Sequence, residues 1–113
     1  MAKTLLLQIF LLYTLAALGE IGGCFCFWLW AREGKSPLWL GVALPCLIFF
    51  AWSLTKIPLE SAGRTFAVYG GIYILSALLW LWLVEQVRPD KWDLYGLAFC
   101  LIGAGIIALA PHK

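Results

Sequence analysis

Charge is scarce in this chain: only 12% of its 113 residues are Asp, Glu, Lys or Arg, against roughly 25% in soluble domains. Together with 64% hydrophobic residues and a mean hydropathy of +0.93, that shortage excludes a soluble globular protein. The net charge of +2 is dispersed, with no basic tract to follow a phosphate backbone, so nucleic acid is not an expected partner. Histidine is nearly absent, His112 standing alone near the C-terminus, where solvation accounts for it. Cys24, Cys26, Cys46 and Cys100 lie inside apolar runs, where neither a disulfide framework nor a metal site is expected. Cys24 and Cys26 stand two apart, which on a helix turns them to different sides, and all four are expected as buried small hydrophobes. No nucleophile-base pair and no phosphate-cradling glycine loop is found, so an enzyme is not expected, nor a resident cofactor.

What is present is length in apolar runs. Residues 4–31, 37–55, 66–84 and 93–110 form four such runs in one membrane domain covering residues 1–113. The first opens like a secretory signal, with Lys3, a leucine-rich core and the small residues of Ala17-Leu18-Gly19. It continues through Phe25 to Trp30, about 40 Å as a helix, and is expected to be retained and tilted. Ser36 and Pro37 read as a helix start, as does Asp90 or Asp93, while residues 56–65 read as a loop with one turn of helix at most. Pro45 is expected to kink the second span as a tolerated membrane proline.

Charge does not orient these spans. Lys3, Lys56, Arg64 and Lys113 fall on one face of the membrane, and Arg32, Lys35, Arg88 and Lys91 on the other, so no positive-inside bias appears. An undirected chain is expected to insert both ways, which would allow an antiparallel, inverted-topology homodimer; larger transporters reach that symmetry within one chain. Trp28, Trp30, Trp39, Trp80, Trp82 and Trp92 crowd one interface and Trp52 stands near the other, an imbalance that antiparallel pairing would even out.

Glu20 is the one charged residue near the middle of a span; every other one falls in a loop, a terminus or the last turn of a helix. A lone carboxylate at that depth is costly and marks an ion or proton pathway. Low dielectric penalises the anion, so Glu20 is expected to hold either a proton or an organic cation, a competition that is itself an exchange mechanism. Two copies sharing a cleft would titrate as a coupled pair. Ala16, Ala17, Gly23 and Cys24 lie three or four residues from Glu20, Tyr13 and Phe27 seven, and Gly19 with Gly23 forms a GxxxG pair.

In the third span Phe66, Tyr69, Tyr73, Ser76 and Trp80 recur at helical spacing, a stripe that can line a cation by cation–π contact and hydrogen bonding. Packing alone would also produce it. Gly70 and Gly71 interrupt this span as a candidate hinge. Gly96 and Gly103 share a face of the fourth span, a seam suited to pairing two copies.

The run Gly19-Glu20-Ile21-Gly22-Gly23-Cys24-Phe25, residues 63–73 reading Gly-Arg-Thr-Phe-Ala-Val-Tyr-Gly-Gly-Ile-Tyr, and Trp92-Asp93 with the helix-four glycines resemble the YnfA family over nearly the whole chain. That bacterial inner-membrane family is similar to the small multidrug resistance transporters. The resemblance implies an all-α protein of four transmembrane helices, an antiparallel homodimer, and proton-coupled efflux of cationic hydrophobic compounds, with the essential carboxylate at Glu20 and Gly96 and Gly103 at the dimer seam. The chain departs from the multidrug branch in having Tyr69 where that branch has tryptophan, in a longer middle loop, and in reading Gly41-Val42-Ala43-Leu44-Pro45 where a helix-two aromatic belongs. Its substrates are expected to differ accordingly.

The expected function is therefore a multidrug-efflux-like antiporter of the bacterial inner membrane. Its proton and substrate site would comprise Glu20, Tyr69, Tyr73, Tyr13, Phe66 and Ser76, with protons as coupling ion and the bilayer, a small organic cation and a second copy as partners. The alternative is a small accessory membrane protein that assembles with a larger partner through its glycine seams. An ion channel would need a longer polar file than Glu20, two tyrosines and Ser76 provide.

Overall fold

The computed structural model describes residues 2–58 and 61–111; Glu60, His112 and Lys113, which entered the reading of loop and termini, lie outside them. Four helices account for the architecture: α1 (Ala2–Ala31), α2 (Leu38–Leu54), α3 (Ala62–Leu83) and α4 (Lys91–Leu109). No strand occurs among the described residues. Three helices carry apolar stretches long enough to cross a membrane, Leu7–Ala31, Ala62–Leu83 and Lys91–Leu109, and α2 is a shorter apolar helix of 17 residues. The protein is thus an all-α, multi-pass membrane protein. The described residues fall into two compact units, one holding α1 and α2, the other α3 and α4, and each unit is a helical hairpin.

Local chemistry explains the helix ends. Pro37 is the residue before α2, and the Ser36 hydroxyl accepts the Leu38 N–H at 3.2 Å, so the expected pair opens the helix one residue later than expected. Asp90 caps α4: its carboxylate accepts the Asp93 N–H at 2.9 Å while that of Asp93 accepts the Asp90 N–H at 3.0 Å. This reciprocal box satisfies two backbone donors that a helix start leaves open. Helix α3 begins at Ala62, four residues before the apolar run, because Gly63 and Arg64 join its first turn and the Thr65 hydroxyl donates to the Ser61 carbonyl at 2.9 Å.

Each hairpin is drawn together at a glycine. A methyl group on Gly19 would lie 3.0 Å from the Cys46 carbonyl oxygen and 3.3 Å from Phe50 Cβ; one on Gly23 would lie 2.8 Å from Leu47 Cγ and 3.0 Å from the Ala43 oxygen. The GxxxG pair of α1 is therefore occupied by α2 of the same protomer. In the second hairpin a methyl on Gly71 would meet Ala104 Cβ at 2.6 Å and the Cys100 oxygen at 3.5 Å.

These contacts expose a repeat. Trp28-Leu29-Trp30, Glu33 and Pro37 return, at one constant offset, as Trp80-Leu81-Trp82, Glu85 and Pro89, and the same offset carries Gly19 onto Gly71. The backbone repeats as well. After α1, the Trp28 carbonyl accepts from Arg32 and Glu33 N–H and the Leu29 carbonyl from Lys35 N–H, at 2.7, 3.4 and 3.0 Å. After α3, the Trp80 carbonyl accepts from Val84 and Glu85 N–H and the Leu81 carbonyl from Val87 N–H, at 2.8, 3.2 and 2.9 Å. Both turns close on a left-handed residue, Gly34 (φ +67°) and Gln86 (φ +61°). The two hairpins share the motif and the turn in which their first helices end.

Candidate functional site

Glu20 is held by the α1 seam. Gly19 sits directly against α2, and the next residue is turned about 100° around the helix, which brings Glu20 to the rim of that contact instead of into it. On its other flank Ala17 and Ile21 are buried. Glu20 itself is half-buried. Along its own stripe the environment changes in steps: Tyr13 is 2% exposed and Ala16 fully buried, whereas Cys24 is exposed and Phe27 is 50% exposed. The carboxyl stands where a closed stretch of α1 gives way to one that the protomer leaves uncovered. A group so placed can be reached from the Cys24 and Phe27 side while its own helix is fixed by α2.

The expected burial of all four cysteines needs one correction. Cys26 is buried and Cys46 and Cys100 are half-buried, but Cys24 is exposed, because it follows Glu20 by one turn on the uncovered side. All four thiols are free, and among the described residues no group of His, Cys, Asp and Glu is placed to hold a metal ion.

The stripe on α3 divides. Tyr69 is buried and Tyr73 half-buried, and their rings meet edge to face, 5.9 Å between centroids at 67°. The Ser76 hydroxyl donates to the Ile72 carbonyl at 2.8 Å, which leaves its oxygen able to accept. Phe66 is 55% exposed at the start of the same stripe. Helix α3 runs unbroken through Gly70 and Gly71; Gly70 faces open space, and Gly71 lies against Ala104 of α4. In α4 no residue is buried, and methyl groups on Gly96 or Gly103 would meet nothing within 4 Å. Tyr95, Phe99, Ile102, Ile106 and Leu109 form a continuous uncovered ridge alongside them.

Cations stack on tryptophans at the helix ends: Arg32 over Trp28 at 4.6 Å, Lys56 over Trp52 at 5.1 Å, and Lys91 over Trp92 at 5.3 Å. Such pairs belong at the level of lipid headgroups, where an indole and a cation are both satisfied.

The sequence model of the family described as "Uncharacterised BCR, YnfA/UPF0060 family" matches residues 6–113. The chain belongs to the YnfA/UPF0060 family. It is 59% identical over 103 residues to a UPF0060 membrane protein of Zymomonas mobilis, covering 91% of this chain and 96% of that one. A UPF0060 membrane protein of Methylocella silvestris is 57% identical over 102 residues, covering 90% and 94%. No solved structure matches. Membership in YnfA/UPF0060 agrees with the apolar helices in making this a multi-pass bacterial membrane protein.

The reading of single residues missed the repeat, although its signal is in the sequence: two Trp-Leu-Trp triplets, each followed at equal distance by Glu and Pro. It therefore also missed that Glu20 has no acidic counterpart, the matching position in the second hairpin being Ile72.

Proposed function

We propose that this YnfA/UPF0060 protein is a proton-coupled secondary transporter that exports small cationic hydrophobic compounds across the bacterial inner membrane. The observation that carries the reading is the position of Glu20: mid-span, half-buried, fixed at its base by the Gly19 contact and uncovered toward Cys24 and Phe27. A carboxyl there serves one cation at a time. Deprotonation creates the charge that attracts an organic cation, and protonation removes it, so binding of either expels the other. Tyr13, Tyr69, Tyr73, Phe66 and Ser76 supply aromatic faces and hydroxyls suited to a flat or lipophilic cation. No covalent step and no resident cofactor enters this scheme. The hinge assigned to Gly70 and Gly71 would have to carry α4 with it, because Gly71 is seated against Ala104.

Pairing of two copies, in opposite orientations, would use the uncovered α4 face around Gly96 and Gly103. The same bare face supports the second reading, an accessory protein that docks on a larger membrane partner.

The test is proton release from purified, detergent-solubilised protein on addition of tetraphenylphosphonium and a panel of quaternary ammonium ions, comparing wild type with Glu20→Gln. Release by wild type and none by the variant is the expected result. Silence from both, with the protein folded, would move the assignment to the accessory reading. Gly103→Leu tests the seam: with open space at that position inside the protomer, loss of the dimer without loss of helix content is expected by cross-linking and circular dichroism.

A further inference from the structure

The two hairpins differ at the end that carries the repeated Trp-Leu-Trp motif. Gly23 of α1 lies against Leu47 and the Ala43 carbonyl, so α1 and α2 stay in contact. The repeat places Leu75 where the first hairpin has Gly23. A leucine cannot be accommodated at the separation a glycine permits. Between α3 and α4 lies a cleft of about 290 Å³ whose lining includes Leu75, Leu78, Leu79, Trp82, Leu97 and Arg88.

The same offset sets Arg88 where the first hairpin has Ser36, a residue used to satisfy the start of α2. Arg88 has no such duty. It is exposed, and among the described residues no ion pair engages it. The acidic groups that follow it are turned to the backbone, Asp90 and Asp93 each accepting the other's N–H in the α4 cap. Glu85 precedes it on the exposed turn, and Lys91 is drawn over the Trp92 ring. A leucine-lined cleft that includes an exposed guanidinium with no ion pair among the described residues, at a level marked by Trp82 and Trp92, suits an amphiphile with an apolar tail and an anionic head.

We infer that this cleft is a binding site for an anionic phospholipid, one acyl chain lying along the α3 leucines and the headgroup phosphate on Arg88. Arginine suits that role because its planar fork pairs two donors with two phosphate oxygens. A zwitterionic lipid offers the same phosphate with its charge already offset, so the site discriminates by net headgroup charge. The first hairpin is closed at the matching position, where a methyl group on Gly23 would lie 2.8 Å from Leu47 Cγ. The inference does not depend on Glu20 or on transport.

Native mass spectrometry of the full chain, released from detergent after titration with phosphatidylglycerol, phosphatidylcholine or oleate, tests it. Wild type should retain phosphatidylglycerol at least fivefold better than phosphatidylcholine of the same chains. Arg88→Gln should bring the two to parity, whereas Lys35→Gln, a neutralised exposed charge on the first hairpin's turn, should leave the preference intact. Leu78→Trp, which fills the cleft, should lower retention of both lipids severalfold, with helix content checked by circular dichroism. Equal retention by wild type, a preference that survives Arg88→Gln, or one that falls equally with Lys35→Gln would overturn the site. Saturation by oleate without retention of phosphatidylglycerol would overturn the phospholipid assignment.

Discussion

The two hairpins share a turn, a glycine contact and a Trp-Leu-Trp end, yet they have diverged in opposite chemical directions. The first keeps its helices together through two glycines and places an acid, Glu20, beside the seam. The second keeps one of those glycines, Gly71, replaces the other by Leu75, carries Ile72 where the acid would be, and ends beside a cation, Arg88. The comparison teaches that the plan itself is neutral scaffolding. On the proposed function the working carboxyl, Glu20, stands at a position where the hairpins disagree, whereas the shared residues are accounted for by helix ends and close packing.

The strongest way to break that comparison is to move the acid. Glu20→Gln is expected to abolish cation-driven proton release, and Ile72→Glu added to it should not bring release back, since position 72 belongs to a different stripe of neighbours. Recovery in the double variant, read by the same proton-release assay, would mean that the hairpins are interchangeable and that the surroundings of Glu20 contribute nothing.

A smaller effect is expected from making the first hairpin resemble the second. Gly23→Leu forces a side chain into a position already within 3.0 Å of the Ala43 oxygen. Overpacking of this kind costs about 1–3 kcal/mol. The expected reading is an earlier thermal unfolding transition in detergent, together with faster labelling of Cys26, which is buried in the present structure. An unchanged transition would mean that α2 is held by something other than the glycine seam.

The smallest effect concerns the turns. Gln86 adopts a left-handed conformation that Gly34 adopts freely in the first copy. Gln86→Gly should stabilise by about 0.5–1 kcal/mol, the left-handed penalty less the extra unfolded-state entropy of glycine. Gly34→Gln should lose a similar amount, and melting of both variants side by side gives the sign of each.

Much of this architecture was legible from residue order. Four apolar runs, the Ser36-Pro37 start and an aspartate cap for α4 follow from patterns confined to a few neighbouring residues, and the structure has all three. The first turn of α3 was not, because Gly63 and Arg64 are loop residues by composition and join the helix only through backbone bonding continuous with the apolar run. The glycines were harder still. Gly70 and Gly71 look alike in sequence, and only the phase at which α4 crosses α3 makes one a contact and leaves the other bare. Glu20 was conspicuous as a charge out of place, but its graded surroundings, closed at Tyr13 and open at Phe27, depend on how far along that one face α1 is covered.

One dimension within the first hairpin bears on the bilayer itself. Helix α2, at 17 residues, is about 26 Å long by the rise of an α-helix, while α1, with 30 residues, is about 45 Å. A hydrocarbon core is roughly 30 Å thick. One partner is too short for it and the other too long, and the glycine seam prevents them from adjusting separately. The compromise open to such a pair is a slanted α1 and a locally thinned membrane around α2. The carboxyl of Glu20 would then be nearer to water than its count of flanking apolar residues suggests, by a margin set as much by the lipids' chain length as by the protein.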